Sequence, residues 1–213
     1  MSQIIPRSNT GNFTQSNPPI LTPYAKRRPR KFLVDHEVNL TQKAAGSVGR
    51  YKHRDSTLIL ITYRHALRVS EIAALRWDQI NFQDKELYVS RLKGSVDGVH
   101  PLTKIEIKAL QKLRIENAKI CVSPYVFLSS RRGALHPRTI WGIIRRAGEV
   151  ANLPFSIHPH MLRHACGHYL VSKKGKDAVN IRTIQGYFGH ANIQNTAMYT
   201  ALSASAYDGL FKD

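Results

Sequence analysis

The residues with the clearest chemistry lie towards the C-terminus, in His158-Pro159-His160-Met161-Leu162-Arg163-His164, followed by Gly189-His190 and then Tyr199. A guanidinium offers a planar fork of donors that matches phosphate oxygens. The imidazoles of His160 and His190 can hold or move a proton near neutral pH. The phenol of Tyr199 can attack phosphorus if a neighbour takes its proton. Together these groups are parts for handling a phosphodiester. Pro159 suits the first turn of a helix, on which His160 and Arg163 stand three residues apart and share a face. Such a pair alone is more often a surface or satisfied core pair. The reading rests on the whole set occurring in order in a basic chain.

Two more cations belong to the argument. Ala66-Leu67-Arg68-Val69-Ser70-Glu71 puts Arg68 at a corner before a short helix that Ser70 can cap. Further on, Leu87, Val89 and Arg91 alternate with Tyr88, Ser90 and Leu92 as in a strand. Lys93-Gly94-Ser95-Val96-Asp97-Gly98 then reads as a hairpin turn, with Val99–Leu102 as the returning strand.

The run His160-Met161-Leu162-Arg163-His164, then Gly189-His190, then Tyr199-Thr200 nine residues later, resembles the C-terminal signature of the tyrosine recombinases, the phage integrase family. The stretch from His158 to Gly167 is most similar to the subgroup that inverts promoter segments in fimbrial phase variation. The resemblance runs from about Phe32 to Asp213. It implies a mainly α fold with a small antiparallel β-sheet (α+β), and DNA strand exchange without metal or nucleotide cofactor. It also implies site residues. Tyr199 is the nucleophile, Arg68 and Arg163 hold the nonbridging oxygens, and Lys93 in the hairpin protonates the leaving oxygen. Arg91 is a weaker rival for that acid. His160 helps to move the tyrosine proton, and His190 hydrogen-bonds a phosphate oxygen. The outcome on DNA stays open between inversion, integration or excision, and transposition. Two residues depart from the family pattern: Ala66 where glycine is usual, and Gln79 after Trp77 where an acid is usual.

Composition agrees with a polyanionic partner. The chain has 213 residues, 32 Lys+Arg against 14 Asp+Glu, and a formal net charge of +18. Such a charge points most simply to nucleic acid, and the resemblance implies double-stranded DNA. Hydrophobic residues make up 42%, enough for a core. Cys121 and Cys166 form no CxxC pair, so neither a disulfide framework nor a zinc site is expected. No run approaches a membrane span, and a bacterial cytoplasmic location is expected.

Residues 1–31 read as a flexible basic arm, and residues 32–213 as the catalytic domain, with no separate core-binding domain in between. Lys26, Arg27, Arg28, Arg30 and Lys31 are candidate DNA phosphate contacts. Arg138, Arg145 and Arg146, on a helix from Pro137 to about Val150, are further candidates along a groove. The arm, or an accessory DNA-bending protein, would replace part of the missing clamp. A last helix over Ser203–Leu210, carrying Tyr207, is expected to dock on a neighbour in a homotetramer on synapsed DNA. The remaining expected helices are Phe32–Ala45 (capped by Asp35), Asp55–Leu67, Thr103–Ala118 (core face Ile105, Ala109, Leu110 and Leu113), Asp177–Tyr187 and Ile193–Tyr199. Tyr125–Leu128 is expected as a strand.

Three other functions fit parts of the sequence. One is a DNA-binding regulator on the same fold that does not cut. A second is topoisomerase-like nicking and religation. The third is a metal hydrolase built on His158, His160, His164 and His168, whose i, i+4 pairs have zinc-like spacing. The first has no need of the phenol and the lysine, and the third leaves the arginines unexplained.

Overall fold

The computed structural model describes residues 31–91 and 94–200, without the Lys176 side chain. Lys26, Arg27, Arg28, Arg30, Lys93 and the helix expected over Ser203–Leu210 lie outside the described residues. Lys31 is described and exposed.

The first helix, α1, is Asp35–Ser47. Asp35 is not its cap. The Glu37 carboxylate accepts the Val34 N–H at 2.9 Å and closes the helix start. Asp35 instead accepts from the Tyr63 hydroxyl at 2.8 Å. The buried face is Glu37, Val38, Thr41, Ala44 and Ala45, while Leu40 is 43% exposed. Thr41 can sit in the core because its hydroxyl donates to the Glu37 carbonyl at 2.7 Å.

The second helix, α2, spans Lys52–Arg64, three residues earlier at each end than the apolar run suggests. It stops because Ala66 takes a left-handed φ of 49°. That conformation costs a non-glycine residue about 1 kcal/mol, and it explains why glycine is usual here. Leu58, Ile59 and Ile61 are fully buried, each contributing roughly 1.5–3 kcal/mol. A five-residue helix α3, Val69–Ala73, follows. Its cap is Arg68, whose N–H is taken by Glu71 at 2.8 Å, and Ser70 does not cap it.

The sheet is small: β1 Ile80–Asn81, β2 Glu86–Val89 and β3 Gly98–Pro101, antiparallel in that order. Leu87 pairs with Ile80 on one side and with His100 on the other. The pleat sends Leu87, Val89 and His100 inward and leaves Tyr88 and Val99 exposed. The returning strand starts at Gly98, one residue earlier than expected.

Helix α4 is Lys104–Ala118. Its buried residues are Glu106, Leu110, Leu113 and Asn117, and Ile105 is 63% exposed. Two polar residues take core positions. Glu106 accepts the Thr103 N–H at 2.7 Å, and Asn117 donates to the Val126 carbonyl at 2.9 Å. Their burial turns the helix away from the face that apolar spacing indicates. Tyr125–Leu128 is buried at Val126, Phe127 and Leu128 but forms only isolated bridges, Arg76 with Tyr125 and Leu128 with Ala134, instead of a strand.

Helices α5 (Pro137–Val150), α6 (Pro159–Ser172), α7 (Ile181–Phe188) and α8 (Gln194–Thr200) complete the described fold. Helix α7 starts after the expected Asp177 because Asn180 caps it, accepting the Arg182 N–H at 2.8 Å. Helix α2 packs against α1, α4 and α6, and α6 in turn holds α7 and α8. The architecture is mainly helical with one three-stranded antiparallel sheet. Among the described residues no helix is long and apolar enough to cross a membrane.

The seat of α8 generates a prediction. The Tyr199 ring lies over Gly167 of α6, where an added Cβ would come within 2.7 Å of ring carbons. Gly167→Ala should therefore destabilise the protein by about 1–3 kcal/mol through overpacking, read by denaturant unfolding. An unchanged midpoint would show that α8 does not depend on this contact.

Candidate active site

The turn His65-Ala66-Leu67-Arg68 between α2 and α3 is the floor of the site. Its carbonyls face inward, and arginines from distant segments meet them. Arg163 of α6 donates Nη1 to the Ala66 carbonyl and, at 2.9 Å, Nη2 to the Phe188 carbonyl. Its guanidinium also sits 4.7 Å from the centre of the Phe188 ring, a cation–π contact. Arg163 is only 4% exposed, and burial, then the charges of Arg68 and Arg91, pull its pKa down to about 10.

Arg68 remains one-quarter exposed at its side chain. Its Nη1 lies 2.7 Å from one oxygen of Glu71, whose other oxygen takes the Arg68 N–H at 2.8 Å. A third arginine closes the group: Arg91 Nη1 lies 2.7 Å from the same carboxylate. Burial opposes ionisation of Glu71, but the bonds from Arg68 and Arg91 outweigh it and hold its pKa below the usual carboxylate value. Three guanidinia surround one carboxylate, so the pocket keeps excess positive charge. An incoming phosphate would meet that excess on the exposed side of Arg68.

His190 follows Gly189, which ends α7 in the left-handed conformation with φ 63°. A side chain there would strike the Val96 carbonyl and the Arg91 stem, so glycine lets the hairpin and α7 meet. The Val96 N–H donates to the Gly189 carbonyl at 3.2 Å. His190 Nε2 stands 3.0 Å from Arg163 Nη2, and its Nδ1 stands 2.9 Å from the Thr196 hydroxyl. Arginine can only donate, so Nε2 accepts and the ring proton lies on Nδ1. Burial, then Arg163 and Arg68, pull the His190 pKa down to about 4. His190 therefore gains a donor towards phosphate only on protonation, which a phosphate charge favours.

Tyr199 is 1% exposed. Its hydroxyl lies 3.2 Å from Nδ1 of His164, and its ring meets Phe188 at 5.3 Å and His168 at 5.5 Å. Burial raises its pKa to about 12, partly offset by Arg163. Burial, then neighbouring His160, lowers His164 to about 4, so its neutral ring can accept from the phenol. Sequence reading gave His160 the task of moving the tyrosine proton. In the structure, the imidazole on the phenol is His164. His160 stands exposed, its ring 6.5 Å from that of His164, and burial and Arg163 lower its pKa. His164 was legible as part of the motif, but helical spacing could not tell which imidazole the next helix would meet.

Arg91 does not suit the proton-donor role for which it was a rival. Its side chain is 1% exposed, with Nη1 on Glu71 and Nη2 on the Tyr187 carbonyl at 2.7 Å. Tyr187 is a packing residue: its ring stacks on His100 at 3.8 Å and its hydroxyl donates to the Arg64 carbonyl at 2.8 Å. Cys166 is a buried core residue beside Arg163, and burial pushes its thiol pKa up to about 12.

The groove candidates Arg138, Arg145 and Arg146 are all exposed on α5, with Arg145 paired to Glu149 at 2.9 Å. The histidines of the metal alternative do not converge. His158 stacks on Trp141 at 5.2 Å, and among the described residues no three His, Cys, Asp or Glu side chains form a ligand set.

Comparison with known proteins agrees with this geometry. The model for the phage integrase family matches residues 31–206. The type 1 fimbriae regulatory protein FimB of Escherichia coli K12 is 36% identical over 189 residues, covering 88% of this chain and 92% of that protein. The crystal structure of XerA recombinase superposes with a TM-score of 0.72 at 27% identity, over 84% of this chain and 63% of that one. A lambda integrase tetramer bound to a Holliday junction shares the fold, with a TM-score of 0.61 at 20% identity over 79% of this chain and 47% of that one. The chain thus spans less than two-thirds of the XerA and lambda integrase chains but most of FimB. With the family matched across most of its length, the chain belongs to the phage integrase family and is a tyrosine-type site-specific DNA recombinase.

Proposed function

We propose that Tyr199 attacks the scissile phosphate of DNA and that the residues gathered at the Ala66 turn stabilise the charge that develops. The observation that carries this reading is the meeting of Arg68 and Arg163 at that turn, with His190 on Arg163. The Tyr199 oxygen forms a bond to phosphorus while the bond from phosphorus to the 5′-oxygen breaks. Arg68 and Arg163 hold the nonbridging oxygens as negative charge builds. Lys93 gives a proton to the leaving 5′-oxygen, and His160 receives the proton of the phenol. His164 holds the phenol before DNA arrives. One phosphodiester is exchanged for another, so a 5′-hydroxyl of a second strand can reverse the attack with no external energy source.

The same reading assigns residues 1–31 to an arm on DNA, and residues 32–213 to the catalytic domain. Lys26, Arg27, Arg28, Arg30 and Lys31 contact phosphates along the duplex, and Arg138, Arg145 and Arg146 line its groove. The segment with Tyr207, Leu210 and Phe211 docks on the next protomer of a homotetramer. Head-to-tail docking closes a ring and couples the active sites. An accessory DNA-bending protein supplies whatever clamping the arm does not. A DNA substrate places the protein in the bacterial cytoplasm at the nucleoid.

Tyr199→Phe should abolish the covalent DNA adduct on SDS gels while leaving binding intact. An adduct mapped by mass to Tyr187 or Tyr207 would overturn the assignment. Lys93→Ala should slow cleavage by about 10²–10⁴-fold, and a bridging 5′-phosphorothiolate should restore it, because sulfur leaves without a proton. Failure of that rescue with binding intact would move the acid role elsewhere. Deleting residues 1–31 should weaken duplex binding. It should also flatten the slope of log affinity against log salt by about 0.9 for each phosphate that the arm neutralises. An unchanged slope would make the arm a passive tail.

A further inference from the structure

The third arginine of the site has no task in the scheme above. Arg91 lies just past β2, two residues before Lys93 in sequence. Its side chain is 1% exposed, which is unusual for an arginine unless every donor is used. Nη1 bonds Glu71 at 2.7 Å, the carboxylate that also holds Arg68. Nη2 bonds the Tyr187 carbonyl at 2.7 Å, in the last turn of α7 just before Gly189-His190. Longer contacts of 3.4 Å reach the carbonyls of His65 and Ala66, and Ala66 is also the acceptor of Arg163. The backbone N–H of Arg91 donates to Asp97 at 2.7 Å, and Tyr88 donates to the other oxygen of Asp97, so both strands of the hairpin are tied at this point.

We propose that Arg91 is a positioning residue, a buried guanidinium that locks the end of β2 onto the Arg68–Arg163 phosphate cradle and the turn before His190. This deepens the phosphotyrosine reading and rests on it. Glu71 is shared, which gives the lock its chemical meaning. With Arg91 in place the carboxylate divides its charge between two guanidinia, and Arg68 keeps one-quarter of its side chain open. Without Arg91, Arg68 becomes the only partner of a buried carboxylate. It is then drawn inward and is less able to meet a nonbridging oxygen. The same deletion frees the Tyr187 carbonyl and loosens the seat of His190. The catalytic defect is therefore one of charge placement at the phosphate, beyond any loss of stability.

The test compares Arg91→Met and Arg91→Lys with wild type and Arg68→Ala. The substrates are a suicide DNA with an ordinary scissile phosphodiester and one with a methylphosphonate there. The methylphosphonate lacks one nonbridging oxygen and its charge, so it needs the arginine cradle less. Arg91→Met should bind DNA as wild type does but form the adduct about 100-fold more slowly on the phosphodiester, the scale of one lost charge-stabilising donor. On the methylphosphonate the deficit should shrink to less than about tenfold, as it should for Arg68→Ala. Arg91→Lys keeps one charge on Glu71 but cannot span to the Tyr187 carbonyl as well, and should fall between. It also serves as the reading should the methionine variant fail to fold. An equal loss on both substrates would make Arg91 merely structural and overturn the proposal, as would a normal rate in both variants. Normal adduct formation by wild type, with loss only in Tyr199→Phe, keeps the underlying reading whichever way Arg91 behaves. No adduct from wild type at all would overturn both.

Discussion

The carboxylate of Glu71 is the constraint on which the rest of the site depends. It is almost wholly buried and has Arg68 on one side and Arg91 on the other. A buried charge costs several kcal/mol unless it is well paired, and removing one partner of such a pair costs about 3–5 kcal/mol. The turn before α3 and the end of β2 are therefore fixed to one point. Arg163 then arrives from α6 at the adjoining Ala66 carbonyl. Three guanidinia near one carboxylate leave the site short of two negative charges. A bound phosphodiester would supply one of them.

A second polar network lies behind the first. His65 Nε2 stands 3.0 Å from Glu106, and His65 and His100 face each other with ring nitrogens 3.2 Å apart. His100 stacks on Tyr187, and burial, then His65, lowers its pKa to about 3. It is neutral under ordinary conditions and can lie in the core without a counter-ion. This chain of groups links α2, α4, β3 and α7 beneath the arginines. Its members are polar, so it gives direction as well as adhesion: each contact has one geometry, where an apolar contact would have several.

The phenol of the site is held differently. Tyr199 sits on a short helix held by aromatic rings and by the space that Gly167 leaves. Its hydroxyl meets a neutral imidazole, and its pKa lies well above neutrality. The phenol is thus protonated near neutral pH. In the proposed reaction the tyrosine oxygen joins phosphorus and is later displaced from it, and a tyrosine on a short helix seated apart from the arginines suits that part.

By itself, the sequence determined the chemistry and the outline of the fold. Side-chain types and their order carry phosphate chemistry wherever the chain takes them, and long helices such as Pro137–Val150 announce themselves by proline and apolar spacing. Strong charge likewise belongs to composition. What tertiary structure decided was every place where a polar residue enters the core. Thr41, Glu106 and Asn117 displaced Leu40 and Ile105 from the expected faces because their hydrogen bonds are made to distant or turned-back partners. Arg91 looked like one more strand residue and became the second guanidinium on Glu71. His160 and His164 are equally plausible as partners of the phenol on a helical wheel, and only the seating of α8 placed His164 there. Periodicity records how much apolar surface a segment can bury. It does not record which polar groups will find partners once separate segments meet, and at this site those partnerships set the position of each charge.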